Sequence, residues 1–147
     1  MSDQATEQIV IKASPKRCYD AAANIEAYPE WIDDMKAVVV HERDEEGRPT
    51  VTEFRAAAFG RSTTYTLRYD YSAAPAALSW SLVDGDLLEE LEGTYSFELA
   101  AGGACGVTYR LVAALKVPLP GFVKSRAEHR IRATALRELK ARVESTS

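Results

Sequence analysis

From residue 35 onward, apolar and polar side chains alternate along the chain, which is the period of β-strands. The alternation predicts six strands, at residues 35–43, 49–59, 61–71, 78–83, 88–99 and 105–117. Gly60 separates the second strand from the third, and short segments rich in Gly, Pro or Asp, including a turn at 84–86, separate the others. Consecutive strands joined by short turns predict an antiparallel meander.

Helical signals flank these strands on both sides. Residues 5–12 predict a further strand, after which Ser14 and Pro15 have the residue types of a helix cap and a first helical position. This first helix is expected to end near Asn24, and Pro29 is expected to open a second short helix. After the last strand, residues 121–144 predict a single helix, which is far longer than the average of about 11–12 residues.

The order of elements predicts the fold class. One strand, two short helices, six strands and a long helix indicate an α+β protein that forms one domain over residues 1–147. A helix of this length needs a broad surface to pack on, and a curved sheet of six or seven antiparallel strands supplies it. We therefore expect the sheet to wrap around the C-terminal helix, with the short helices closing one end of the sheet.

One face of the predicted sheet carries most of the aromatic side chains. Alternation places the following residues on it: Phe54, Tyr65, Tyr69, Trp80, Tyr95 and Tyr109. A buried tyrosine needs a partner for its hydroxyl, and the small residues Ala56 and Ala58 leave volume unfilled. An internal cavity is the prediction, mainly because of the family resemblance described below. The alternative is a fully packed core in which the tyrosines hydrogen-bond to backbone groups or water.

The long helix contributes the other wall of this predicted cavity. Its apolar stripe includes Ile131 and Ala135, which we expect to face the sheet. Glu128 and Arg132 fall in the same stripe, His129 lies at its edge, and all three are predicted to lie near the cavity opening. The alternative is that the first half of the helix overhangs the sheet and leaves Glu128 and Arg132 in solvent. The free-energy cost of burying charged side chains favours this alternative.

Composition and charge narrow the function. Hydrophobic residues make up 46% and charged residues 27% of the 147 residues, as in a globular domain, and the net charge of −4 argues against a nucleic-acid partner. No apolar run approaches the ~20 residues of a membrane span, so we expect no membrane insertion. The N-terminus lacks the pattern of a signal peptide, and the two cysteines predict packing roles, which together favour a cytoplasmic protein.

Motifs for metal, phosphate or nucleophilic chemistry are not found in the sequence. There is no paired-histidine metal motif, no nucleophile elbow and no glycine-rich phosphate loop, so we expect neither a metal nor a cofactor. His41 and His129 are far apart in the chain. Of the two, His129 is the candidate general base near the predicted opening.

Two segments carry a family resemblance. Residues 9–15 (IVIKASP) and 24–31 (NIEAYPEW), supported by 80–88 (WSLVDGDLL) and 120–123 (PGFV), resemble the polyketide cyclase/dehydrase branch of the START-like superfamily. That superfamily also includes coenzyme-Q-binding proteins and the birch-pollen-allergen type. The resemblance spans almost the whole chain, and the segments at 80–88 and 120–123 are similar to those of uncharacterised bacterial members. The resemblance implies the helix-grip fold.

The resemblance leaves two functions open. One is binding or transport of a lipid-like, quinone-like or polycyclic molecule in the cavity, by a monomer or homodimer. The other is a polyketide aromatase/cyclase, whose relatives use a pocket arginine to polarise a carbonyl. The comparable strand offers Arg68, but alternation points it away from the cavity. Whether the protein is an enzyme stays open at this point.

Overall fold

The structure is a computed structural model that describes residues 3–58 and 61–145. Its strands are β1 (Asp3–Ile11), β2 (Met35–Arg43), β3 (Pro49–Ala58), β4 (Arg61–Asp70), β5 (Ala77–Gly85), β6 (Leu88–Leu99) and β7 (Cys105–Leu115). Its α-helices are α1 (Pro15–Ala23), α2 (Tyr28–Trp31) and α3 (Gly121–Ser145), with short 3₁₀ turns at Ile25–Ala27 and Ala101–Gly103.

All seven strands form one curved antiparallel sheet in the order β1-β7-β6-β5-β4-β3-β2. The strands from β2 to β7 form the predicted meander, and β1 joins its far edge by pairing with β7. The long helix α3 packs most closely against β1, β7 and α1. The α+β helix-grip architecture predicted from the sequence is thus confirmed, with seven strands.

Local sequence explains where the short helices begin. The Ser14 hydroxyl accepts a hydrogen bond from the Arg17 backbone N–H at 3.2 Å, which satisfies one of the free donors of the first turn, and Pro15 occupies that turn. Pro29 lies in the first turn of α2, as its fixed φ favours. Both predicted helix starts are confirmed.

The predicted turn at residues 84–86 begins two residues too early, because β5 continues to Gly85 and the chain bends at Asp86 and Leu87 before β6. Thr66 of β4 lies opposite Asp84, whereas the next residue, Leu67, lies opposite Leu82. One extra residue on β5 is therefore accommodated as a bulge, which lets the strand bend and stay paired. The predicted strand end at Phe59 and the break at Gly60 lie outside the described residues.

The dry core lies where the C-terminal half of α3 meets α1 and the sheet. Leu136, Leu139 and Val143 of α3 are at most 2% exposed. Cys18 of α1 and Cys105 of β7 are fully buried free thiols, and burial raises the pKa of Cys18 to about 12. Both cysteines are packing residues, as predicted. Within the described residues, no helix combines the length and apolar character needed to cross a membrane.

Candidate ligand-binding site

A cavity of about 150 Å³ lies between the sheet and the middle of α3. Its floor and walls carry seven aromatic side chains: Tyr28, Phe54, Tyr65, Tyr69, Trp80, Tyr95 and Tyr109. Aliphatic side chains from β4, β6 and β7, among them Leu67, Leu91 and Leu111, fill the spaces between the rings. The helix contributes Ile131, Thr134, Ala135 and Glu138. The lining is predominantly apolar, as is typical of small-molecule sites.

The aromatic rings contact one another in a continuous cluster. The centroid of the Trp80 ring lies 5.3 Å from that of Tyr95, 5.8 Å from that of Tyr109 and 5.9 Å from that of Tyr69. Phe54 extends the cluster to Tyr65, with ring centroids 5.6 Å apart. Tilted and edge-on contacts at these distances stabilise the rings beyond their burial, so the cavity wall is held in one arrangement.

Gly93 makes the position of Trp80 possible. The two residues are directly opposite each other on β6 and β5. A Cβ atom at Gly93 would lie 2.3 Å from two carbons of the indole ring, well inside van der Waals contact. The indole ring therefore rests on the bare backbone of β6, and a glycine at this position fixes one wall of the cavity.

The phenol hydroxyls in the cavity are neutral donors. Burial raises the pKa of Tyr65 to about 12, and burial is also the main cause that raises the pKa values of Tyr95 and Tyr109. The Tyr28 hydroxyl donates to the Ala22 carbonyl oxygen, which anchors α2 to α1. At neutral pH the remaining phenols can donate hydrogen bonds to a ligand carbonyl.

Two acidic side chains, Glu138 and Asp34, line this otherwise largely apolar cavity. The Glu138 Oε2 atom accepts a hydrogen bond from the Asp33 backbone N–H at 3.0 Å. Its Oε1 atom is buried and has no hydrogen-bond partner among the described residues. Burial is the main cause that raises the pKa of Glu138, and Asp33 and Asp34 nearby act in the same direction. Asp34 also lines the cavity, beside Ile32 and Met35.

The structure brings eight of the eleven predicted site residues together around the cavity. They are Phe54, Tyr65, Tyr69, Trp80, Tyr95, Tyr109, Ile131 and Ala135. Their role in ligand binding stays a prediction. Glu128, His129 and Arg132 are not among the lining residues and form a charged cluster on either side of Ile131 in α3.

Glu128 and Arg132 are only 6% and 7% exposed, so the expectation that they are solvated is wrong. Lys124 Nζ lies 2.9 Å from Glu128 Oε2. Glu7 of β1 lies beneath the helix, with its Oε1 atom 2.8 Å from His129 Nδ1 and 3.8 Å from Arg132 Nη2. These opposite charges offset part of the desolvation that made burial look unfavourable from the sequence.

Arg68, the sequence candidate for a pocket arginine, is exposed on the outer face of β4, opposite Val51 and Ser81. The prediction that it points away from the cavity is confirmed. Sequence reasoning missed Glu138, although a signal was present. Glu138 follows Ile131 by seven residues and so lies within about 20° of it around the helix axis.

Metal ligands do not gather at this site. Across residues 3–58 and 61–145, no group of three or more His, Cys, Asp or Glu side chains is arranged to hold a metal ion.

Comparison with solved structures finds the same fold in proteins of low sequence identity. A START superfamily protein from Mycobacterium smegmatis is 21% identical, with a TM-score of 0.91 over 98% of this chain and 99% of that one. Zhui aromatase/cyclase from Streptomyces sp. R1128 is 10% identical, with a TM-score of 0.85 over 98% and 94%. Major latex-like protein 151 from Panax ginseng is 11% identical, with a TM-score of 0.72 over 96% and 97%.

The TM-scores show that the fold is shared, whereas the family assignment comes from the sequence. The comparison with curated protein sequences found no significant match. The family described as polyketide cyclase / dehydrase and lipid transport matches residues 2–144, which is almost the whole chain. The chain therefore belongs to the polyketide cyclase/dehydrase and lipid-transport family.

Proposed function

We propose that this protein binds a small apolar molecule containing an aromatic or other flat ring, in the cavity between the sheet and α3. The observation that carries the proposal is the cavity itself, with its volume of about 150 Å³ and its wall of aromatic side chains. An apolar cavity of about this volume admits a benzene-sized ligand.

The energy of an empty cavity supports a ligand-binding role. Protein interiors are normally close-packed, and an unfilled cavity destabilises the fold by about 24 cal/mol per Å³. The scaling gives about 3–4 kcal/mol for an enclosed space of this volume, and a smaller cost here because the cavity is partly open to solvent. A larger side chain at Ala135 or Ala56, both in the lining, would remove much of that cost. Small residues at these positions are thus consistent with a ligand-binding cavity.

The family membership supports the same class of function. Its description covers both lipid transport and polyketide cyclases, and both activities need an apolar internal site. The aromatase/cyclase alternative receives no support from Arg68, because this arginine is exposed on the opposite face of the sheet. Binding without a pocket arginine is the function that the lining supports best.

A fluorescence titration tests the proposal. Trp80 lines the cavity, so a Trp31→Phe variant, in which Trp80 is the remaining tryptophan, is titrated with small aromatics, quinones and fatty acids. We expect saturable fluorescence changes with at least one aromatic ligand, abolished by Ala135→Phe, which fills the cavity. Ala141→Phe, at an exposed position on the same helix, is the matched control and should leave binding intact. Equal affinity in both phenylalanine variants would contradict the proposal.

A further inference from the structure

The charged side chains that line the cavity are both acidic. Among the described lining residues they are Asp34 and Glu138, and no lysine, arginine or histidine accompanies them. An anionic group on a ligand would therefore meet like charge in a low-dielectric setting, where repulsion is strongest. The buried Arg132 is close enough to Tyr109 to favour that phenol's ionised form, so a free carboxylate is disfavoured beside Asp34 and Glu138 rather than throughout the cavity.

Glu138 also has an unused hydrogen-bond acceptor. Its Oε2 atom is occupied by the Asp33 backbone N–H, whereas its Oε1 atom is buried with no partner among residues 3–58 and 61–145. A buried polar atom without a partner is unfavourable, and a ligand or a water molecule can satisfy it. Glu138 belongs to the cavity lining, so a bound ligand can supply the missing donor.

We infer that the ligand of this cavity presents a hydrogen-bond donor, a hydroxyl or an amine, to Glu138 Oε1, and that a ligand carboxylate is disfavoured at this end of the cavity. The inference rests on the proposed function and narrows it to a ligand class: an apolar ring that carries a donor. The groups that face Glu138 are Asp33 and Asp34 from the α2–β2 connection and Arg137 from its own helix. The two aspartates add negative potential, which favours donors and cations at this end of the cavity.

The aromatic wall is compatible with a hydrogen-bond donor that is either a hydroxyl or an amine. A hydroxyl-bearing ring packs against the tyrosines and bonds to Glu138 as a neutral molecule. An amine is protonated at neutral pH, and its positive charge is additionally attracted to the faces of rings such as Trp80 and Tyr95. The shared chemistry is the N–H or O–H donor, and the experiment separates the two cases.

Calorimetric titration with four single-ring probes tests the inference: toluene, benzyl alcohol, benzylammonium and benzoate, each at pH 7. The measured quantity is the ratio of each probe's affinity to that of toluene. This ratio is compared between wild type and each variant, because the hydration free energy of the unbound probe then cancels. In Glu138→Met we expect the benzyl alcohol and benzylammonium ratios to fall about tenfold or more, as for loss of a hydrogen bond to a charged acceptor. Benzoate should bind wild type most weakly of the four.

Glu138→Gln keeps an oxygen for the Asp33 N–H and provides the test if the methionine variant does not fold. There the benzylammonium ratio should fall while benzyl alcohol is largely retained. A larger drop for benzylammonium than for benzyl alcohol in the methionine variant identifies an amine ligand, and the reverse identifies a hydroxyl. Glu92→Gln, exposed on the outer face of β6, is the matched control and should change no ratio.

Two results would overturn the inference while leaving the proposed function intact. One is an unchanged set of ratios in both Glu138 variants, with toluene still bound. The other is benzoate binding to wild type as tightly as benzyl alcohol. Failure of every probe, toluene included, would overturn the proposed function and the inference with it.

Discussion

Substituting Gly93 by alanine tests how the cavity wall is built. The added methyl group would lie 2.3 Å from the Cε2 and Cζ2 atoms of Trp80 and 2.4 Å from its Nε1 atom. Ordinary contacts between such atoms are about 3.5–4.0 Å, so the indole ring must move by more than about 1 Å. Tyr69, Tyr95 and Tyr109 surround the ring, and the space open to it is the cavity.

The structure sets the expected magnitude. Overpacking a well-filled site destabilises a protein by about 1–3 kcal/mol, and the shift of Trp80 toward the cavity relieves part of the clash. We therefore expect Gly93→Ala to lower the free energy of unfolding by about 2 kcal/mol. The same shift reduces the cavity volume, so affinity for single-ring ligands should fall together with stability.

Urea unfolding followed by far-UV circular dichroism gives the free-energy change without relying on Trp80 emission. The matched control is Gly106→Ala in β7, where an added Cβ would lie 3.8 Å from its nearest neighbour, the Glu98 carbonyl oxygen. We expect this control to be neutral or slightly stabilising. Equal effects of the two substitutions would refute the close packing of Trp80 on Gly93.

Two further predictions concern α3. Leu139 is fully buried, so Leu139→Ala should lower the free energy of unfolding by about 2–5 kcal/mol. Leu99→Ala is the control, and at a position 75% exposed it should change the free energy little. Similar denaturant midpoints for the two variants would contradict the assignment of Leu139 to the core. Burial raises the pKa of Glu138 above its ordinary value of 4.5. The protonated carboxyl therefore stabilises the folded state fully below pH 4.5, and this stabilisation is lost as the pH rises through the raised pKa. The stability of Glu138→Gln relative to wild type should therefore increase between pH 4 and pH 7 in urea unfolding, and a difference that does not vary with pH would argue against a buried carboxyl.

Periodicity predicted the fold well because strands and helix each bury one face. The inward positions of Tyr69, Trp80 and Tyr95 follow from alternation alone, and all three line the cavity. The stripe through Ile131 and Ala135 likewise predicted which side of α3 faces the sheet. These predictions succeeded because they depend on local geometry, which the sequence specifies directly.

The failures depend on contacts between distant parts of the chain. Burial of Arg132 relies on Glu7, which β1 brings beneath α3 by pairing with β7, and no local pattern reveals that contact. The bulge in β5 likewise arises from pairing with β4. Glu138 was missed for another reason: the carboxyl in the apolar stripe that was predicted near the cavity was Glu128, although the helical phase of Glu138 matches that of Ile131.

The contacts of α3 explain how a cavity can persist beneath it. At its C-terminal end, Arg17 Nη2 donates to the Val143 carbonyl oxygen at 2.9 Å, and Glu144 accepts from the Lys12 backbone N–H at 2.9 Å. Toward its N-terminal end, the charged cluster around Glu7 holds the helix against β1. The helix is therefore fixed near His129 and near Val143, so its cavity-facing residues Ile131, Ala135 and Glu138 do not need dense packing to keep the helix in place. The side chains that face the cavity can therefore serve ligand binding, while the anchoring residues maintain the fold.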